Sequence, residues 1–133
     1  MAIPTLAADE ALAECLAALA LQTFRDFQIV VVDNSGRQLV NRSGAAKRAG
    51  ARVIEMSKNA GFGAAINAAW EGCGSAYLAT LNDDAVASPE WLAALVQAGE
   101  RRPDCGMFAP CVQLAGSGLL DSAGMLLCAD GSS

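Results

Sequence analysis

QIVVVDNSG, residues 28–36, carries four β-branched residues in succession and then a run of turn formers. A segment this apolar on both faces suits a strand inside a parallel sheet, where helices cover both sides. It is predicted to end at Asp33-Asn34-Ser35-Gly36, and the rest of the chain can be set out around it.

Before it, Met1 to Pro4 reads as a short strand, and Asp9 is placed to cap a helix carrying Leu12, Cys15, Leu16 and Leu19 on one face. After it, residues 37–50 are polar and predict a short helix that Gly50 ends. ARVIEM (51–56) predicts a third strand and SKNAGFG (57–63) a loop. A helix is expected from Gly63 with Ile66, Ala69, Trp70 and Cys73 on its core face. AYLATL (76–81) predicts a fourth strand. SPEWLAALVQAGERR (88–102) predicts a helix with Ser88 as N-cap, Pro89 at the first helical position and Arg101 and Arg102 at the negative end. CGMFAPCVQL (105–114) predicts a fifth strand. Residues 113–133 are rich in Gly and Ser, with one apolar patch, GMLLCAD (124–130), and predict a hairpin or loose extended segments. No internal repeat is visible.

Strands alternating with helices at this spacing predict an α/β domain built on a mostly parallel sheet flanked by helices. Ligands of such sheets bind outside the carboxyl ends of the strands. That rule selects Pro4 and Thr5, Asp33 and Asn34, the 57–63 loop, and Asn82 to Asp84.

Composition narrows the chemistry. The chain has 133 residues, 53% of them hydrophobic and 17% charged, which describes a globular chain with enough length for a core. Net charge is −5 and no basic run occurs, which argues against nucleic-acid binding. There is no histidine, so Ser-His-Asp and Cys-His catalysis and His-based metal sites are excluded. Five cysteines with no C-x-x-C pair are expected to be reduced and mostly buried, as in a cytoplasmic protein. No apolar run approaches the length of a membrane span.

Asp and Asn after a strand are ordinary turn formers, and Asp83 could do no more than begin a loop. Two acidic strand ends in one crevice, however, repel unless a cation or hydrogen-bond donors intervene. A hard divalent ion answers this: Mg²⁺ takes one or two carboxylates and leaves its other positions for water and substrate phosphates. As a Lewis acid it would neutralise a departing diphosphate.

Taken in order, IPTL, ECLAALALQTFRDFQIVVVDNSG, NAGFGAAINAAW and YLATLNDDAVASPEWLAALV resemble the N-terminal half of a family 2 glycosyltransferase over about residues 2–112. DSAG (121–124) and the NDDA form are most similar to rhamnosyltransferase-like members that use dTDP-sugars. The resemblance implies a GT-A-like fold, with 1–112 as the nucleotide-sugar-binding domain and 113–133 as the start of an acceptor-side region. It also implies site residues. Pro4 and Thr5 would line the nucleotide pocket, and Asp33 would accept a hydrogen bond from the imide N–H of the base. Asn59, Gly61 and Asn67 would lie beside the nucleotide. Asn82-Asp83-Asp84 would match the D-x-D signature, with Asp84 on Mg²⁺ or Mn²⁺ and Asn82 and Asp83 near the nucleotide. Asn82 replaces the first Asp of that signature and weakens its pull on a metal. Leu6-Ala7 and Gly36-Arg37 also depart from the family pattern.

The donor implied is a UDP- or dTDP-sugar, and the acceptor of the full-length enzyme a glycan or a lipid-linked molecule. An inverting transferase needs a carboxylate base. The two carboxylates of residues 113–133, Asp121 and Asp130, lack a recognisable context, so the base is expected beyond Ser133 and this chain is expected to be truncated and inactive alone. Location is expected to be cytoplasmic, with membrane association in the full-length protein, and an exposed sheet edge could pair copies into a homo-oligomer. Two rivals stand beside this reading. GFGAAI imitates a dinucleotide-binding G-x-G-x-x-G, but Ile66 takes the third glycine's place and the glycines follow Glu55 at a distance. A non-catalytic fragment or interaction module would bind no sugar nucleotide.

Overall fold

A computed structural model describes residues 1–123. Asp130, Cys128 and the GMLLCAD patch, with the last residue of the DSAG match, lie outside the described residues. The chain forms two compact units that divide after Leu92.

The first unit is built on three parallel strands, β1 (Ala2–Thr5), β2 (Val30–Asp33) and β3 (Arg52–Glu55), in the spatial order β1-β2-β3. Their register aligns Thr5, Asp33 and Glu55 at the carboxyl edge. β1 and β2 are buried throughout, as the continuous apolar run requires. β3 has no partner on its far side among the described residues and is half exposed.

Side-chain alternation along the strands sorts the core into two clusters. On one face Ile3 and Val31 pack with α1 (Glu10–Ala20) through Leu12, Cys15, Leu16 and Leu19. Val40 of α2 (Leu39–Ser43) and Ala45 and Ala46 of α3 (Ala45–Arg48) join them. Asp9 caps α1, its Oδ1 accepting from the Leu12 N–H at 3.4 Å. On the other face Ala2, Val30 and Val32 pack against Ala65 and Ala69 of α4 (Phe62–Trp70). The single helix expected over 37–50 is two, because Gly44 at φ +68° breaks the helical path between them.

AYLATL does not form a full fourth strand. It makes one parallel bridge, Ala2 to Thr80, through Ala2 N–H to Ala79 O (2.8 Å) and Leu81 N–H to Ala2 O (3.1 Å). The next ladder bond on that side of β1 would need an N–H from Pro4, which has none. The ladder stops where proline stops it.

α4 also buries less than expected. Ala65 and Ala69, one turn apart, face the sheet, whereas Trp70 is exposed and only Ile66 joins the core margin; Cys73 is exposed in the turn that follows, because the helix ends at Trp70. The helix lies so close to the strands that alanine fills the gap, and the larger side chains point outward. Among the described cysteines only Cys15 is buried; Cys73 and Cys111 are exposed, which corrects the expectation of mostly buried thiols.

α5 (Trp91–Arg101) begins at the end of the first unit. It starts two residues later than Pro89 because Ser88 to Trp91 form a turn, with Trp91 N–H on Ser88 O at 3.0 Å. Gln22 is wholly buried beneath this turn. Its Nε2 donates to Ser88 O (2.7 Å) and its Oε1 accepts from Leu92 N–H (3.0 Å), so the helix is capped from α1's end and not by Ser88. Thr23 N–H bonds Pro89 O beside it at 2.8 Å.

In the second unit the expected strand over 105–114 contracts to β4 (Val112–Gln113), paired antiparallel with β5 (Leu120–Ser122) as a small exposed hairpin. Arg102 and Asp104 form an exposed ion pair at 2.8 Å.

Candidate donor-site crevice

The order of segments across the first sheet is the Thr80 bridge, β1, β2, β3. The chain runs outward from β1 to β3 with its connecting helices on one face. It then returns through α4 on the other face to the far side of β1. The order in which segments are added across the sheet therefore reverses between β1 and the Thr80 segment, which still runs parallel to it. Such a switch point opens a crevice at the carboxyl ends of the two flanking strands. Thr5 ends one of them, and Asn82, Asp83 and Asp84 follow the other.

Each candidate can now be placed. Pro4 and Thr5 are buried at the tip of β1, and the Thr5 hydroxyl closes a turn on the backbone of Ala7, with Ala7 N–H returning to it at 3.1 Å. Asp33 is buried at the tip of β2. Its Oδ1 accepts from the N–H (3.0 Å) and hydroxyl of Ser35, and its Oδ2 accepts from Val40 N–H at 2.9 Å. Burial alone pushes this carboxyl upward, but the Ser35 hydroxyl and the Val40, Ser35 and Leu39 backbone groups together hold it below the usual Asp range. Asp33 is thus an ionised acceptor that also organises the turn into α2.

Asn34 is the neighbour whose work the sequence did not announce. Its side chain is buried and faces the 59–61 loop: Nδ2 donates to Asn59 Oδ1 (3.2 Å) and Gly61 O (3.1 Å), and Oδ1 accepts from Ala60 N–H (3.0 Å). Its backbone N–H bonds Thr5 O at 2.9 Å. Gly36 makes the same junction possible from the next turn. At φ +71° it sits so close to the opposite backbone that an added Cβ would lie 2.9 Å from Lys58 Cα and Ser57 O.

Asn59 is exposed, and its Oδ1 also accepts from Gly61 N–H at 3.0 Å. Gly61, at φ +88°, begins α4. Asn67 is exposed two residues on from Ala65, on the side of α4 away from the sheet.

Asn82 to Ala85 form a turn closed by Ala85 N–H to Asn82 O at 3.3 Å. Asn82 O also accepts from the thiol of Cys15 at 3.5 Å. Burial, reinforced by the negative charges of Asp83 and then Asp84, pushes that thiol up to about 11. Asp84 is exposed and Asp83 half buried. Among the described residues no three His, Cys, Asp or Glu side chains cluster as a metal cage. Two adjacent carboxylates on an open turn still suit a hard ion that keeps water and phosphate ligands.

The sequence profile of glycosyl transferase family 2 matches residues 1–112. No curated protein sequence matches the chain. Among solved structures, S. aureus TarS residues 1–349 superposes with a TM-score of 0.65 at 22% identity, covering 77% of this chain and 32% of that one. S. aureus TarS gives 0.64 at 21% identity, over 77% and 19%. TarS 1–349 in complex with UDP-GlcNAc gives 0.65 at 22%, over 77% and 31%. The chain thus spans about a third or less of the length of these structures. Their likeness establishes the GT-A-like α/β architecture, and the profile match over most of the sequence establishes membership: this chain belongs to glycosyl transferase family 2.

Proposed function

We propose that this chain supplies the donor side of an inverting transferase that moves a sugar from a nucleotide diphosphate to an acceptor hydroxyl. The observation that carries this reading is the reversal of segment order beside β1, with Thr5, Asp33 and the Asn82–Asp84 turn all at the carboxyl edge. Asp33 is held ionised, so it accepts a hydrogen bond and suits the imide N–H of uracil or thymine. Pro4, Thr5, Asn59, Gly61, Asn82 and Asp83 complete the nucleotide side, with Asn67 at its outer margin. Asp84, exposed on its turn, would hold Mg²⁺ or Mn²⁺, and that ion would supply charge to offset the leaving diphosphate.

The acceptor would be a glycan or a lipid-linked molecule, and residues 113–133 would begin the acceptor-side region. The complex of TarS with UDP-GlcNAc makes a UDP-sugar the first donor to try, with dTDP-sugars second. The test is a thermal shift of the full chain with UDP, dTDP or their sugars, with and without Mn²⁺. A ligand at a hundred times its Kd raises stability by about 2.7 kcal/mol, which moves the melting temperature by several degrees. No shift with either nucleotide would leave an interaction module as the better reading, and a shift with NADH alone would favour the dinucleotide fingerprint.

A further inference from the structure

We infer that Asn34 is the positioning residue of the donor site: its buried amide holds the 59–61 loop in the shape that the nucleotide meets. This deepens the donor-site reading and rests on it. The amide makes three hydrogen bonds to three consecutive residues of a loop more than twenty positions away: Asn59 Oδ1, Ala60 N–H and Gly61 O. Its backbone N–H ties the same point to Thr5 O, so the tips of β1 and β2 and the start of α4 are fixed through one residue. Asn59, in turn, folds its Oδ1 back onto Gly61 N–H.

Only a neutral side chain with two donors and one acceptor at this reach satisfies all three partners. Aspartate has the shape but sets an anion against two oxygens. Alanine leaves Ala60 N–H and Gly61 O without partners. Neither residue keeps the loop ordered, so the ordering must be supplied when the nucleotide binds, and affinity falls. Asn34 itself need not touch the ligand.

The experiment titrates UDP and dTDP with Mn²⁺ into the full chain and into Asn34→Ala, Asn34→Asp and Gln22→Ala, at a temperature where each is folded. Amide exchange of Ala60 is followed in the same proteins. Gln22 serves as the control, because it stabilises the turn before α5 and has no part in the crevice. Asn34→Ala is expected to lose roughly tenfold in nucleotide affinity and to speed Ala60 exchange by at least as much. Asn34→Asp, which keeps the shape and tests the role if the alanine variant does not fold, is expected to lose affinity to the same degree. Gln22→Ala is expected to melt earlier yet bind as the parent does. Parent-like affinity in either Asn34 variant, or an equal loss in Gln22→Ala, overturns the positioning role. If the parent binds neither nucleotide, the donor-site reading fails and takes this role with it. Binding by the parent with an indifferent Asn34 sinks the role alone.

Discussion

Two loops follow strand segments at the carboxyl edge of the sheet and are held in opposite ways. The 57–61 loop is pinned by the buried Asn34 amide and by its backbone packed against Gly36. The 82–85 turn closes on one 3.3 Å backbone bond and one 3.5 Å thiol contact. The pinned loop lies beside β2, where the base is proposed to bind; the lightly held turn carries the carboxylates proposed to face the ion and diphosphate. A base needs a fixed shape to be recognised. An ion with water ligands needs carboxylates that can adjust as ligands exchange.

The largest expected effect falls on the pinned side. Asp33→Ala removes a buried carboxylate that satisfies Ser35 and the start of α2, and should cost about 3 kcal/mol, over a hundredfold in the folding equilibrium. Chemical denaturation measures it, and a loss under 1 kcal/mol would show that the turn does not depend on Asp33. Because the folded-state carboxyl titrates below its unfolded value, its contribution is complete above about pH 5 and fades as pH falls below about 4. The parent should therefore lose stability through that range more steeply than the variant.

The thiols give the next contrast. Cys15 is buried beneath the acidic turn, whereas exposed Cys73 is lowered by hydrogen bonding from Ser75. Iodoacetamide at pH 8 should modify Cys73 about a hundredfold faster than Cys15, read by mass mapping. Comparable rates would mean that the 82–85 turn opens far more often than its packing implies.

Gly36→Ala should cost about 2 kcal/mol, because the left-handed backbone and the approach of Ser57 and Lys58 both refuse a Cβ. It should also speed amide exchange across 59–61. A neutral result would detach Gly36 from the pinning of the loop. The smallest stability effect is expected at Asp84→Ala: within about 0.5 kcal/mol, since the side chain is exposed. Mn²⁺-dependent nucleotide affinity should vanish in the same variant, and its survival would remove Asp84 from the ion site.

The β-branched run at 29–32 made the central strand legible, and Asp9 with its periodic leucines made α1 legible, because local pattern and burial agree there. The Pro4 effect on the Thr80 ladder was visible in principle, but only once the register showed which side of β1 lacks a donor. Gln22 gave no such signal, and Asn34 was legible as a strand-end residue but not as the anchor of a distant loop. Each binds residues that are distant in sequence, and nothing in their immediate neighbours marks a buried amide. Trp70 is exposed because periodicity gives a face without a depth, and Cys73 because α4 stops three residues before it.

From the letters alone came the alternation of strands and helices, the acidic strand tips and the absence of histidine, since each depends on residue type and near spacing. The folded chain decided that segment order reverses beside β1, that Asp33 is consumed partly by its own turn, and that Asn34 holds a loop more than twenty residues away. Those outcomes depend on register and burial, which are set by the packing of segments distant in the chain and not by any one of them.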